Sequence, residues 1–206
     1  MCISSCSTRE GAAKSSHPEA PRWLNRSVDR GATESEYAEL IDKLEAAQES
    51  DVVEQALAAA QQHLNMDASY ITTIDARNQT IHAIVGDADT AARYTGTVFP
   101  VEQTYCMRML SGDIPNIVPD TREEPAISGL AVTQEFHAYV GVPVRLSDGR
   151  VHGTLCCVSR EPRSGLGSEE LRFMQTLAGI VATRVEKARG DLARLTERFR
   201  PARPPA

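Results

Sequence analysis

The sequence predicts an α+β fold, and three observations carry that reading. Residues 136–159 read as two β-strands around Asp148-Gly149, the strongest short-range hairpin signal a sequence holds. Further strand-like runs precede it, at 68–75 (Ala-Ser-Tyr-Ile-Thr-Thr-Ile-Asp), 80–85, 96–100 and 117–118, where β-branched and aromatic residues concentrate. Apolar residues at helical spacing occur near both ends of this region instead.

The hairpin organises the rest. With Asp148 and Gly149 as a two-residue loop, Leu146 faces Val151, Val144 faces Gly153, Val142 faces Leu155 and Val140 faces Cys157. Side chains alternate along strands. One face therefore collects Val140, Val142, Val144, Leu146, Val151, Leu155 and Cys157, a core face. The other collects His137, Tyr139, Gly141, Pro143, His152, Thr154, Cys156 and Val158, a mixture that suits the floor of a cavity. Gly141 in mid-strand marks a close approach by another group.

The helices follow from spacing. Tyr37, Leu40, Ile41, Leu44 and Ala47 form a first stripe beginning at Ser35. Val52, Val53, Ala56, Leu57, Ala60 and Leu64 form a second, with Asp51 and Glu54 at capping-box spacing. Residues 76–79 make a turn, 86–95 a polar loop or short helix, and 104–110 a short helix carrying Tyr105, Cys106 and Met109, ended by Ser111-Gly112. Residues 122–134 read as irregular or weakly helical. The last helix starts at Ser168 as N-cap, with Glu169 and Glu170 at its positive end. It carries Leu171, Met174, Leu177, Ala178 and Val181, then a short heptad seam of Val181, Val185, Ala188, Leu192, Leu195 and Phe199. Eight acidic residues between Glu34 and Glu54 oppose one Lys, whereas residues 184–203 hold seven basic residues against three acidic. The two arms can pair within one chain or between two. The domain plan is a disordered tail over 1–34, a folded domain over 35–190, and a helix end with a Pro-rich tail over 191–206.

A formal net charge of −6 argues against a nucleic-acid binder, which needs a basic face to neutralise phosphates. No apolar run reaches membrane-spanning length, and Met1-Cys2-Ile3-Ser4-Ser5-Cys6 lacks the apolar core of a signal peptide. A cytoplasmic location with reduced cysteines is expected. Cys156 and Cys157 point to opposite faces and form no bond with one another. His137, His152, Cys106 and Cys156 are of types that suit zinc, but no short ligand pair stands in the sequence and no metal is expected.

The run Phe99-Pro100-Val101, Tyr105-Cys106, Gly112 and Ile117-Val118-Pro119-Asp120-Thr121 resembles the middle of a GAF domain. So do Leu130-Ala131-Val132-Thr133, Tyr139-Val140-Gly141-Val142-Pro143-Val144 and Gly153-Thr154-Leu155-Cys156-Cys157-Val158. The likeness covers 52–187 and points to the sensory GAF domains of bacterial signalling proteins. It implies a central antiparallel sheet of about five to six strands, the N- and C-terminal helices on one face and a ligand cavity on the other. It also implies cytoplasmic signalling, a signalling protein partner and a homodimer through the terminal helices, which the heptad seam supports independently.

Members of the family bind cyclic nucleotides, haem, bilins, amino-acid derivatives or simple anions, so the resemblance fixes no single cofactor. The departures are informative. His137-Ala138-Tyr139-Val140-Gly141 stands where the subgroup has Arg-Phe-Tyr-Ala-Gly, removing a guanidinium. Thr133 fills the slot of a proximal haem His, and Cys106 is followed by Met107 where bilin binders have His. Ala131 fills the nucleophile slot of the free methionine sulfoxide reductases. The expected ligand contacts are Tyr105, Cys106, Asp120, His137, Tyr139, Thr154 and Cys156, with no residue given a catalytic role. The favoured expectation is a stand-alone sensory domain binding a small molecule. The alternatives are a thiol-dependent reductase of free methionine sulfoxide or a related oxidant, using Cys106 with Cys156 or a tail cysteine, and a helix-mediated interaction protein without ligand.

Overall fold

The structure, a computed structural model, describes residues 51–198. The expected tail over 1–34, the helix beginning at Ser35 and the Pro-rich end lie outside the described residues. The elements are α1 (Val52–His63), β1 (Ala68–Ile74), β2 (Asn78–Val85), α2 (Ala88–Tyr94), β3 (Val98–Pro100), α3 (Tyr105–Ser111), β4 (Ile117–Val118), β5 (Ala138–Arg145), β6 (Val151–Ser159) and α4 (Ser168–Arg198). Short 3-10 turns occupy Val101–Gln103 and Ala131–Gln134. The six strands form one antiparallel sheet in the order β3-β2-β1-β6-β5-β4, so the α+β expectation holds.

Both faces of this sheet are covered. On one, Val140, Val142, Val144, Leu155 and Cys157 pack against Ala56, Leu57 and Ala60 of α1 and Phe173, Met174 and Leu177 of α4. Ser69, buried on this side, donates its hydroxyl to the Leu57 carbonyl at 2.6 Å and ties β1 to α1. On the other face, Tyr70, Tyr139, Cys156 and Val158 pack beneath Tyr105, Cys106 and Met109 of α3 and beneath Ile127 and Phe136. Away from the hairpin tip, the side-chain segregation read from period-2 alternation is the one observed.

The hairpin keeps the expected register in its body, with Val144 opposite Gly153, Val142 opposite Leu155 and Val140 opposite Cys157. Its tip differs. Leu146 accepts from Gly149 N at 2.9 Å and donates its own N–H to Arg150 O at 2.9 Å, so the loop has three residues, not two. Gly149 sits at φ 82°, the left-handed position that closes such a loop and that a side chain strains. The one-residue slip is cancelled at once: Arg145 pairs with Val151, and His152 is the extra residue of a bulge on β6. His152 consequently lies 3.1 Å from the Arg189 guanidinium of α4 through Nδ1, not with Thr154 and Cys156 as expected.

Pro143 in mid-strand is tolerated for a definite reason. Gly141 donates its N–H to Asn116 O on the β4 side at 2.9 Å, so the nitrogen of Pro143, two residues on, points to that side too. β4 begins only at Ile117, which faces Val140, so no β4 residue lies opposite Pro143 and no ladder bond is lost.

Two local expectations are corrected. Asp51 precedes α1 but makes no side-chain capping hydrogen bond. Ser168 is the first helical residue of α4, and Gly167 precedes it, with its N–H taken by the Glu170 carboxylate at 2.7 Å. The polar stretch 86–95 contains α2, because Asp87 caps it by accepting from Thr90 N at 2.9 Å. Of the heptad seam, Val181 is buried in the helix-side core and Val185 packs against it. The side chains of Leu192 and Leu195, and Phe199, lie outside the described residues.

Leu155 is fully buried in a central strand against the helices. Leu155→Ala should lower stability by about 2–5 kcal/mol in urea unfolding. Val98→Ser, at 54% exposure on the edge strand, should stay within about 0.5 kcal/mol of the parent protein.

Candidate functional site

The sheet face beneath α3 is laid out by strand register. Tyr70 of β1 lies opposite Cys156 of β6, which lies opposite Gly141 of β5. The next row is Thr72, Thr154 and Pro143. Gly141 leaves a gap in the first row, and the Tyr139 side chain fills it by leaning along its own strand, so that a Cβ at Gly141 would meet the Tyr139 hydroxyl. From there that hydroxyl reaches Cys156 Sγ at 3.5 Å.

The roof is α3 and the segments beside it. Thr104 caps α3, accepting from Met107 N at 3.3 Å and donating to Val101 O at 2.8 Å. The helix thereby aims Tyr105 and Cys106 at the sheet. Tyr105 packs edge-on against Tyr139, with ring centroids 5.3 Å apart. Its hydroxyl lies 2.8 Å from Thr133 Oγ1 and 2.9 Å from the Phe136 carbonyl. Thr133 and Thr121 donate in turn to the Ile127 and Phe136 carbonyls, both at 2.8 Å, which pins the irregular segment between β4 and β5.

At the centre, Cys106 Sγ stands 3.5 Å from Cys156 Sγ and 3.8 Å from the Tyr70 hydroxyl. Thr72 and Thr154 share a hydrogen bond of 2.8 Å between their hydroxyls, and Thr154 N donates to Thr72 Oγ1 at 3.2 Å. Cys106, Cys156, Thr72, Thr154 and Tyr139 are completely buried. Burial opposes ionisation of Cys106, but hydrogen bonding, foremost from the Cys156 thiol and then from the neighbouring Thr154, Tyr139 and Tyr70 hydroxyls, brings it to about 7. Burial, with Cys106 as its neighbour, holds Cys156 well above the ordinary thiol value. Burial likewise holds the Tyr70 and Tyr139 phenols protonated. The layer thus pairs one thiol of lowered pKa with one of raised pKa.

Five of the seven expected contacts, Tyr105, Cys106, Tyr139, Thr154 and Cys156, meet in this layer. Asp120 and His137 do not. Asp120 is clamped by Arg122, which donates from Nε at 2.9 Å and from the other guanidinium arm at 2.6 Å, and this holds its carboxyl down to about 2. It borders a different feature, an open depression of about 420 Å³ beside the edge strand, shared with Ile117, Glu123 and Pro162. His137 is half-buried, its N–H donating to Ser159 O at 2.7 Å and its carbonyl accepting from Thr121 N at 2.8 Å. Thr72 was missed by sequence reasoning, although its place two residues beyond Tyr70 on one strand put it on the same face. Among the described residues, no group of three or more His, Cys, Asp or Glu side chains converges to hold a metal ion. Nor is any described helix long and apolar enough to cross a membrane.

The GAF domain family model matches residues 46–186, more than half of the chain. The chain belongs to the GAF domain family. A cyclic di-GMP phosphodiesterase of Pseudomonas aeruginosa is 25% identical to this GAF domain over 145 residues, 68% of this chain and 23% of that protein. The chain therefore spans about a quarter of that relative's length. Among solved structures, the GAF domain of an Acinetobacter phosphoenolpyruvate-protein phosphotransferase aligns with TM-score 0.61 at 12% identity, covering 75% of this chain and 92% of that one. The free methionine-R-sulfoxide reductase of Neisseria meningitidis aligns with TM-score 0.59 at 15% identity, covering 75% and 89%. At these identities the likeness is one of fold.

The ring of donors predicts a titration. With Cys2, Cys6 and Cys157 replaced by Ser or Ala, ultraviolet thiolate absorbance of the folded GAF domain should rise with a midpoint near pH 7. Thr154→Val should raise that midpoint and Cys106→Ser should abolish the signal. Because the folded value lies below the ordinary 9.0, ionisation of Cys106 stabilises the fold fully above about pH 9, and the gain is lost as pH falls through about 7. A midpoint at or above pH 9 would refute the assignment.

Proposed function

We propose that this GAF domain is a sensory or regulatory module. It takes a small molecule between the sheet floor of Tyr139, Thr154 and Cys156 and the roof formed by residues 96–133. Occupancy is then passed through the sheet to α1 and α4. The observation that carries this reading is the chemistry of the floor: one wholly buried sheet face bears hydroxyls and thiols where an ordinary core bears aliphatic side chains. Buried hydroxyls are costly unless partnered, and here they partner one another. The same groups can exchange those bonds for bonds to a polar ligand, in a setting otherwise lined by apolar and aromatic surface.

Two further features support it. The roof consists of a short helix and 3-10 turns held by a few side-chain bonds, the kind of structure that opens locally at less cost than a packed helical layer. Tyr105 and Tyr139 occupy the space in the state described, so entry of a ligand moves them. The route out is equally direct. β6 carries Thr154 and Cys156 on one face and Leu155 and Cys157 on the other, and Cys157 Sγ lies 3.9 Å from Met174 Sδ of α4. α4 runs on to Arg198 and offers an arm for a second copy of the chain or another signalling protein.

The test uses native mass spectrometry of protein purified without denaturation, with thermal unfolding against cAMP, cGMP and methionine sulfoxide as probes. The expected result is a stoichiometric adduct or a stabilising probe. A ligand at a hundred times its Kd contributes about 2.7 kcal/mol, an increase of roughly 5–10 °C for a domain of this size. Thr154→Val should diminish the effect. No adduct, no shift with any probe and unchanged hydrogen exchange over residues 96–133 would overturn the reading.

A further inference from the structure

We propose that Cys106 and Cys156 form a reversible disulfide when the protein meets a hydroperoxide, which makes this thiol pair a modification site in the domain. The inference stands on the geometry of the pair and does not depend on any ligand in the layer.

The two sulfurs are 3.5 Å apart and come from elements fifty residues apart in sequence, α3 and β6. A disulfide needs about 2.05 Å, so closure requires sulfur movement of about 1.5 Å. The two sides are unequally mobile. Cys156 belongs to a central strand paired on both edges, with β1 and with β5. Cys106 rides on a seven-residue helix whose capping contacts are local. α3 is therefore the part that gives. The donors around Cys106, namely the Tyr70, Tyr139 and Thr154 hydroxyls and the Cys156 thiol, favour the thiolate, which is the reactive form.

Cys157 supplies a contrast within the same strand. It points to the other face, where the sulfur within reach is the thioether of Met174, and burial alone raises its thiol well above the ordinary range. Adjacent residues of one strand thus meet opposite fates.

The chemistry balances with hydrogen peroxide as oxidant. The Cys106 thiolate attacks one peroxide oxygen and the O–O bond breaks. This leaves a sulfenic acid on Cys106 and a hydroxide that takes up a proton to become water. The Cys156 sulfur then attacks the Cys106 sulfur, the S–O bond breaks, and the departing hydroxide leaves with the Cys156 proton as a second water. The two thiols lose two electrons and two protons, and one peroxide becomes two waters. Both sulfurs are fully buried, so peroxide reaches them through local opening of the roof, and closure traps the pair in contact. The bond then staples α3 to β6, and with it the roof to the sheet.

The experiment maps the linkage in the full chain. Reduced protein is treated with hydrogen peroxide, free thiols are alkylated, and the sample is digested with trypsin without reduction. Cleavage after Arg93, Arg108, Arg150 and Arg160 isolates peptide 94–108, which holds Cys106, and peptide 151–160, which holds Cys156 and Cys157. The expected result is a cross-link between these two peptides that dithiothreitol reverses, persists in Cys157→Ala, and is absent from Cys106→Ser and Cys156→Ser. The oxidised parent protein should also show a raised thermal midpoint and slowed hydrogen exchange in α3. Peptides 94–108 and 151–160 recovered unlinked overturn the proposal. So does a cross-link that is lost in Cys157→Ala, or one that runs to Cys2 or Cys6. These readouts on the parent protein and Cys157→Ala stand even if the Ser variants fail to fold. A probe-induced thermal shift without the cross-link would leave the small-molecule reading intact and remove this one.

Discussion

The fold rests on a strand pair, β1 with β6, buried on both faces over residues 68–72 and 153–159. From Gly153 to Ser159 every residue of β6 is buried, so the odd-numbered and even-numbered side chains each need a covering layer. The two covers are unlike. Aliphatic residues on one side meet two long helices through a continuous apolar contact, whose stabilisation grows with the area removed from water. Hydroxyls, thiols and aromatic rings on the other meet a patchwork of short segments, where hydrogen-bond satisfaction matters as much as area. A single strand thereby joins the most conventional part of the molecule to its least conventional part.

That division was legible in the chain because alternation is imposed by the backbone. Knowing that Val140, Val142, Val144 and Leu155 share a face leaves Tyr139, Thr154 and Cys156 no choice but the opposite one. Carried to β1, the same logic places Tyr70 and Thr72 together on one face. Cys106 was recognisable as helical from its neighbours, but that its sulfur ends beside Cys156 depends on how α3 docks, which no local period encodes. The segment between β4 and β5 was opaque for a related reason. Its conformation is held by Thr121, Thr133 and Tyr105 reaching carbonyls far along the chain, and such anchors leave no repeating pattern in sequence.

Two positions had local competitors. Asp120 looked available to a ligand, yet Arg122 stands two residues away and claims both carboxylate oxygens. The polar stretch 86–95 left loop and short helix both open, and Asp87 three residues before Thr90 is the capping arrangement that decides for helix. The Asp-Gly pair was ambiguous in a subtler way. Asp-Gly fits a two-residue turn, and equally a three-residue loop ending on a left-handed glycine. Residue identity alone does not distinguish them.

The hairpin tip resembles a frameshift followed by its suppressor. The offset introduced around Gly149 is absorbed at His152, and beyond Gly153 the strands run as though the loop had been the shorter kind. Errors of length at the tip are therefore quarantined from the interior. Drift, insertion or a grafted epitope there has a buffer to cross before it can disturb the alignment of Tyr70, Cys156 and Gly141.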